Sequence, residues 1–367
     1  MIDKRIKLLH ITSSLKVGGA ETVLCKLLEN LSEGFEHHVI YFHDGPMRKR
    51  IEDLGIPTYH VKGLLGLYDP LFWWRLFLKV RSIKPDKIHS LLWAANVASR
   101  IVGILLRVPV MCVYHNNVDL DGGLRNLLDR LTIGFTDQLV AVSDEVALTI
   151  SQNAPQISPK NVKVIKNGVN AQALFEKSQK LVVTRASLGL SADHVVIGSV
   201  GRFHPIKRYD LLLHAFALLH VRFPATRLVL VGQGPLEQDL RDLAKKLGIA
   251  DQIIFVVGQQ AAGYYPLFDV FVQTTDREGI SMALLEAMSC KVACVVTHAG
   301  LVHPVLQHGK TGLVVPAGNI PALVDAVTKI VADHSLKREL GAQAYKVVQS
   351  EFNEVAMIEK YCDIFTK

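Results

Sequence analysis

Short apolar runs alternate with amphipathic stretches along nearly the whole chain. In the front half the runs at 6–11, 38–42, 57–61, 87–91, 109–114 and 138–142 read as strands. Between them, helical spacing predicts helices near 20–32, 46–54, 70–84, 94–106, 122–134 and 143–151. Alternation of this kind builds βαβ units and a parallel sheet. The pattern restarts after Gly168, with strands near 195–200, 227–231, 253–257, 269–273 and 292–296 and helices near 208–222, 236–247 and 281–289. Helices dominate from Pro321 onward. The expected fold class is α/β: two Rossmann-like, doubly wound domains facing a central cleft. The expected boundaries are 1–168 for an N-terminal acceptor-side domain and 169–350 for a C-terminal donor-binding domain. A helix over 351–367 could cross back to the first domain. The hinge is expected at Lys166-Asn-Gly-Val-Asn170, where Asn-Gly supplies positive φ without strain.

A chain of 367 residues suits two domains, and 49% hydrophobic with 20% charged residues is ordinary globular composition. The formal net charge is +7, and the larger part of the excess precedes Gly168. Modest basicity favours anionic partners without choosing among nucleotides, phospholipid head groups and nucleic acid. Five scattered cysteines, Cys25, Cys112, Cys290, Cys294 and Cys362, form no disulfide framework and no zinc spacing, and read as reduced thiols. The first twelve residues run from polar positions into a strand, not a signal peptide. Apolar stretches break at Arg, Lys or Pro before the roughly 20 residues that a membrane span needs. The expected location is the cytoplasm, or the inner membrane face as a peripheral protein.

Candidate chemistry lies in the loops that follow strands. Ser13-Ser-Leu-Lys-Val-Gly-Gly-Ala-Glu21 places Gly18 and Gly19 where amides can approach an anion. It is not the complete dinucleotide fingerprint, and a plain turn into a helix with Glu21 in its first turn explains it equally well. Val200-Gly-Arg-Phe-His-Pro-Ile-Lys207 puts Arg202 and Lys207 after a buried strand, where two cations can neutralise a diphosphate or sit in a solvated loop. Leu230-Val-Gly-Gln-Gly-Pro235 is a G-x-G, either for close approach to a ligand or for a turn. In Thr275-Asp-Arg-Glu-Gly-Ile-Ser-Met-Ala-Leu-Leu-Glu-Ala-Met288, Glu278 precedes a glycine turn, Ser281 is a good N-cap type, and Glu286 follows on an apolar helix. A carboxylate there needs partners, and ribose hydroxyls suit it; an exposed helix glutamate is the alternative.

Taken together these residues resemble the family 4 retaining glycosyltransferases of the GT-B fold, over almost the whole chain. The resemblance runs through Gly18-Gly19-Ala20-Glu21, Lys84-Pro-Asp86, His115-Asn116, Ala141-Val-Ser143 and Asn167-Gly168-Val169. It continues through Gly201-Arg202 with Lys207, Glu278 to Glu286, and Gly309-Lys-Thr-Gly312 before Val314-Val-Pro316. It implies that Arg202 and Lys207 hold the donor diphosphate with the backbone amides of Ile280, Ser281 and Met282. Glu286 would bind the ribose and Glu278 the transferred sugar. His115 would lie near sugar and acceptor, Gly18 and Gly19 near the phosphate and acceptor, and Val257 and Gly258 near the base. The chain departs from the family pattern at Ala299-Gly-Leu-Val-His-Pro304, which is one residue longer than usual and lacks a Glu.

The implied reaction moves a hexose or N-acetylhexosamine from a UDP- or GDP-linked donor to a glycan, such as a lipid-linked precursor of a surface polysaccharide, with retention. The leaving phosphate takes the acceptor proton, so neither a nucleophile–base pair nor a cofactor is required. No metal is expected: Asp119-Leu-Asp121 lies outside the expected diphosphate site and reads as a polar loop and helix cap. No nucleic-acid partner is expected. Leu71-Phe-Trp-Trp-Arg-Leu-Phe-Leu-Lys-Val80 carries a core stripe of Phe72, Leu76, Val80 and Ile83. Further apolar residues (Trp73, Trp74, Phe77, Leu78) among basic ones could rest on an anionic membrane or widen the core face. A nucleotide-sugar 2-epimerase of the same architecture and a non-catalytic nucleotide-binding module are the alternatives.

Overall fold

The computed structural model describes residues 5–31, 33–63, 69–116, 122–180, 183–276, 278–298 and 303–367. Its first unit comprises Met1–Asn167 and Val355–Lys367. Along it run β1 (Ile6–Ser14), α1 (Gly19–Asn30), β2 (Phe35–His43), α2 (Met47–Glu52), β3 (Thr58–His60), α3 (Pro70–Ile83) and β4 (Lys87–Leu91). They are followed by α4 (Trp93–Leu106), β5 (Val110–Tyr114), α5 (Gly123–Thr132), β6 (Gln138–Ala141), α6 (Asp144–Asn153) and β7 (Val162–Val164). All strand pairs are parallel, in the order β3-β2-β1-β4-β5-β6-β7. The order reverses beside β1, where open α/β sheets bind ligands.

The second unit, Gly168–Glu354, continues with α7 (Ala171–Lys180), β8 (Val195–Val200), α8 (Tyr209–Arg222), β9 (Thr226–Val231), α9 (Glu237–Lys246), β10 (Ile253–Val256) and β11 (Val270–Gln273). Then come α10 (Met282–Ser289), β12 (Ala293–His298), β13 (Leu313–Pro316), α11 (Ile320–Ala332) and α12 (His334–Glu351). Its parallel sheet has the order β10-β9-β8-β11-β12-β13. The core is almost wholly aliphatic and aromatic, with Leu228, Leu230, Val270, Val272 and Val295 fully buried beneath α8 and α11. Strands covered on both faces read as unbroken apolar runs, which is why the pattern found them.

The last helix, α13 (Glu354–Thr366), belongs to the first unit from Val355 on. Its Tyr361 and Phe365 pack edge-on against His89, and Phe365 also meets His10 and Phe35, so the helix covers β1, β2 and β4.

At the junction the expected role of Gly168 is corrected: it is not in the positive-φ region. A Cβ there would run into the backbone of Asn353, so glycine is needed for close approach. Val169 donates to the Phe352 carbonyl at 2.8 Å and Glu354 donates to the Val169 carbonyl at 3.3 Å, which ties the entry and exit segments of the second unit together.

Helix α3 buries Phe72, Leu76, Val80 and Ile83, the predicted stripe. Trp74 and Leu78 are exposed, while Trp73 and Phe77 are half-buried and thus part of a wider inner face. Among the described residues no helix is long and apolar enough to cross a membrane.

Candidate active site

In the second unit, charged residues gather at the C-terminal edge of β8 and β11. The segment after β8 makes a short 3-10 turn at Pro205–Lys207 and is pinned to the segment after β11. Thr274 Oγ1 donates to the carbonyls of Lys207 (3.0 Å) and Arg208 (2.9 Å), Thr275 Oγ1 donates to the Ile206 carbonyl (3.0 Å), and the Asp276 amide donates to the same carbonyl (3.1 Å). Arg208 holds a left-handed conformation, φ 45°, and binds Asp210 and Asp276. A residue in that region costs energy and persists only when its surroundings fix it. Here they fix the direction of the Lys207 side chain.

Lys207 Nζ donates to both oxygens of Glu278 at 2.7 Å, with both side chains about one-fifth exposed. Gln273 Nε2 donates to Glu278 Oε2 at 3.0 Å. Ser281, the N-cap of α10, donates its hydroxyl to Gln273 Oε1 at 2.6 Å and accepts from the Leu284 amide. The amides of Met282 and Ala283 come before any intrahelical acceptor, so they are donors available to an anion. Ile280, Ser281 and Met282 are all buried, and Arg202 is exposed. Two loops of sequence-predicted chemistry thus meet at one end of one sheet.

Glu286, half-buried on α10, accepts from the Tyr265 hydroxyl at 2.8 Å. Neither Tyr265 nor Gln273 was singled out from sequence. Tyr265 sits in a 3-10 turn before β11, and Gln273 ends an apolar strand; the only available signal was a buried polar residue closing an apolar run. Burial, then the Glu286 carboxylate, push the Tyr265 hydroxyl well above its ordinary pKa, so it stays a donor. Val257 is exposed just beyond β10, and Gly258 has φ 73° near Gln233. The G-x-G is structural: a Cβ at Gly232 or Gly234 would strike the backbone of Gly201 or Phe203, so these glycines let the two loops touch.

In the first unit, Gly18 precedes α1 in extended conformation, and the Glu21 carboxylate folds against it. His115 follows β5 and is buried, yet neither of its ring nitrogens has a hydrogen-bond partner among the described residues. Burial lowers its pKa to about 4, so it is a neutral imidazole at pH 7, with one donor and one acceptor to offer. The preceding Tyr114 is locked to a buried ion pair, Arg100–Asp129. Gly309 to Gly312 form the turn before β13, the Gly309 amide donating to the Gly312 carbonyl at 2.8 Å. Among the described residues no three His, Cys, Asp or Glu converge as a metal site would require. Asp119-Leu-Asp121 and residues 299–302 of the departing loop lie outside the described residues.

Known proteins fit this arrangement. The family model "Glycosyl transferases group 1" matches residues 183–347, and "Glycosyltransferase Family 4" matches 17–173. The N-acetyl-alpha-D-glucosaminyl L-malate synthase of Bacillus anthracis is 26% identical over 74% of this chain and 70% of its own length. The lipopolysaccharide core biosynthesis glycosyltransferase LpsD of Rhizobium meliloti is 25% identical over 99% of this chain and 98% of its own. Among solved structures, Anabaena HepE in complex with UDP-glucose superposes with a TM-score of 0.86 at 22% identity, covering 99% of this chain and all of that one, and shares the GT-B fold. With one model matching each unit, the chain belongs to the family 4, group 1 glycosyltransferases, and it is a transferase.

Proposed function

We propose that the protein is a retaining glycosyltransferase that moves a hexose or N-acetylhexosamine from a nucleotide sugar to a lipid-linked glycan. The observation that carries this reading is the Lys207–Glu278 ion pair beside the N-terminus of α10. Glu278 occupies the lysine with both its oxygens. A donor diphosphate would take Lys207, Arg202 and the first amides of α10, and release a Glu278 oxygen for the sugar hydroxyls. Charge grows on the leaving diphosphate as the glycosidic bond breaks, so these fixed cations and amides stabilise the transition state more than the ground state. Glu286, oriented by Tyr265, is assigned to the ribose, and Val257 with Gly258 to the base. His115 and Gly18–Gly19 are assigned to the sugar and acceptor. A buried imidazole whose two nitrogens meet no partner among the described residues is suited to a ligand's hydroxyls.

A uridine nucleotide is the favoured donor, supported by the binding of UDP and UDP-glucose to Anabaena HepE. A melting screen across UDP, GDP and ADP sugars tests this: a bound nucleotide raises the melting temperature by mass action, and a screen without any shift would refute it. Incubation with donor alone separates the epimerase, which changes the sugar, from the transferase, which releases little until acceptor is added.

The lipid-linked acceptor and a peripheral place on the inner membrane face draw support from two helices of the first unit. α3 exposes Leu71, Trp74 and Leu78 beside Arg75 and Arg81. α5 is turned inside out: Asp129 faces the core on Arg100, while Leu124, Leu127 and Leu131 face outward beside Arg125 and Arg130. Leucines among arginines suit an anionic bilayer. The pure protein should float with anionic liposomes at low salt; failure to do so rules out the membrane reading and leaves the transferase reading standing.

A further inference from the structure

We infer that Gln273 is a positioning residue for the donor sugar, a buried amide that joins Glu278 to the N-cap of α10 so that the carboxylate and the phosphate-facing amides keep a fixed spacing. This rests on the proposed role of Glu278. Gln273 is the last residue of β11, paired in register with Val296 of β12, and only 4% exposed. Its hydrogen bonds can run in one direction only. A carboxylate can only accept, so Gln273 Nε2 faces Glu278 Oε2 at 3.0 Å. That leaves Oε1 to accept the Ser281 hydroxyl at 2.6 Å, while Ser281 Oγ accepts from the Leu284 amide at 3.4 Å. The flipped amide would set its oxygen against the Glu278 carboxylate, acceptor against acceptor, and lose that contact.

The relay matters once a donor binds. Lys207 grips both Glu278 oxygens. When phosphate draws Lys207 away, the Gln273 N–H is what keeps Oε2 in place, so that the other oxygen points at a sugar hydroxyl. The bond sits at a buried strand end, where a hydrogen bond to a charged group is worth more than one in solvent. Glutamine alone has the reach to donate to Glu278 and accept from Ser281 at once; leucine fills the space with neither function, and glutamate keeps the shape while replacing the donor by an acceptor.

The test uses the full chain and, from UDP-glucose, UDP-N-acetylglucosamine, GDP-mannose and ADP-glucose, the compound that raises the wild-type melting temperature most. Calorimetry compares its affinity with that of its bare nucleoside diphosphate. Gln273→Leu should bind the diphosphate within about threefold of wild type but the sugar nucleotide about tenfold more weakly. Gln273→Glu should lose the sugar's contribution near pH 8 and regain it near pH 6, because a protonated glutamic acid beside Glu278 donates again, while wild type shows no such recovery. Equal loss of both affinities, or no pH recovery in Gln273→Glu, overturns the relay and leaves Gln273 as strand packing. Glu278→Ala keeps the two ideas apart. If it weakens sugar-nucleotide binding while the Gln273 variants do not, the relay alone fails. If it changes nothing, the assigned role of Glu278 fails too.

Discussion

The two sheets share a winding pattern but handle buried polarity in opposite ways. The second keeps an aliphatic interior and places its charged groups at the C-terminal edge, as Lys207–Glu278 and Tyr265–Glu286. The first carries histidines inside. His10, His37 and His89 lie on three adjacent strands and form a chain: His37 to the Leu31 carbonyl at 2.6 Å, His10 to His37 at 2.9 Å, His89 to His10 at 2.8 Å. A carbonyl only accepts, so His37 Nε2 carries a proton, and each ring in turn donates to the next, all neutral. Burial holds His10 well below its ordinary pKa; burial, then neighbouring His115 and His37, lower His89 to about 3. In the second unit the half-buried His303 is lowered to about 3, by burial and then by His298. One sheet is therefore arranged to hold charge at its rim, and the other depends on the imidazoles between its strands staying uncharged.

That contrast can be broken at several points. The largest effect is expected inside the first unit. Asp129→Ala strands Arg100, whose guanidinium also binds Thr132, Thr136 and Tyr114, and should cost about 3–5 kcal/mol in chemical denaturation. A loss under 1 kcal/mol would mean that the pair is solvated. At the rim of the second unit, Lys207→Ala and Glu286→Ala should each cut turnover about 100-fold, roughly 2.7 kcal/mol, with the melting temperature nearly unchanged. Near-normal turnover in both would refute the site assignment.

Acid sharpens the difference. A histidine whose folded pKa lies below its unfolded value of about 6.5 stabilises the fold above that pH and loses its contribution as pH falls towards the folded value. For His89 the window runs from about 6.5 down to about 3, and for His115 down to about 4, each contributing up to about 1.4 kcal/mol per pH unit. Scanning calorimetry from pH 7 to about 4.5 should show the melting temperature falling, and His89→Leu should flatten the slope. An unchanged slope in that variant would contradict the buried neutral chain. The smallest expected effect is Tyr265→Phe, which removes one hydroxyl from Glu286 and should raise the donor KM about three- to tenfold. A larger fall in kcat than rise in KM would assign Tyr265 a different role.

Elements buried on both faces were legible because nothing but packing specifies them: the run at 195–200 and the strand Val195–Val200 coincide, and α3 shows the stripe that its spacing predicted. Some short or polar pieces were not. Val162–Val164 is three residues with a lysine in the middle, and Leu313–Pro316 gains its strand character only by pairing with β12. The helix Ala171–Lys180 is polar enough to pass for linker.

By itself the sequence determined two successive parallel α/β sheets and a set of cations, carboxylates and glycines after their strands, because apolar periodicity and loop chemistry are local. Tertiary structure decided which of them meet. Glu278 turns to Lys207 because Thr274 and Thr275 pin one loop against another across 67–69 residues of chain. Tyr265 reaches Glu286, Gln273 reaches Ser281, and the tail helix returns to the first sheet's histidines. Hydrogen bonds between residues far apart in sequence leave no periodic trace, so only the folded chain shows them.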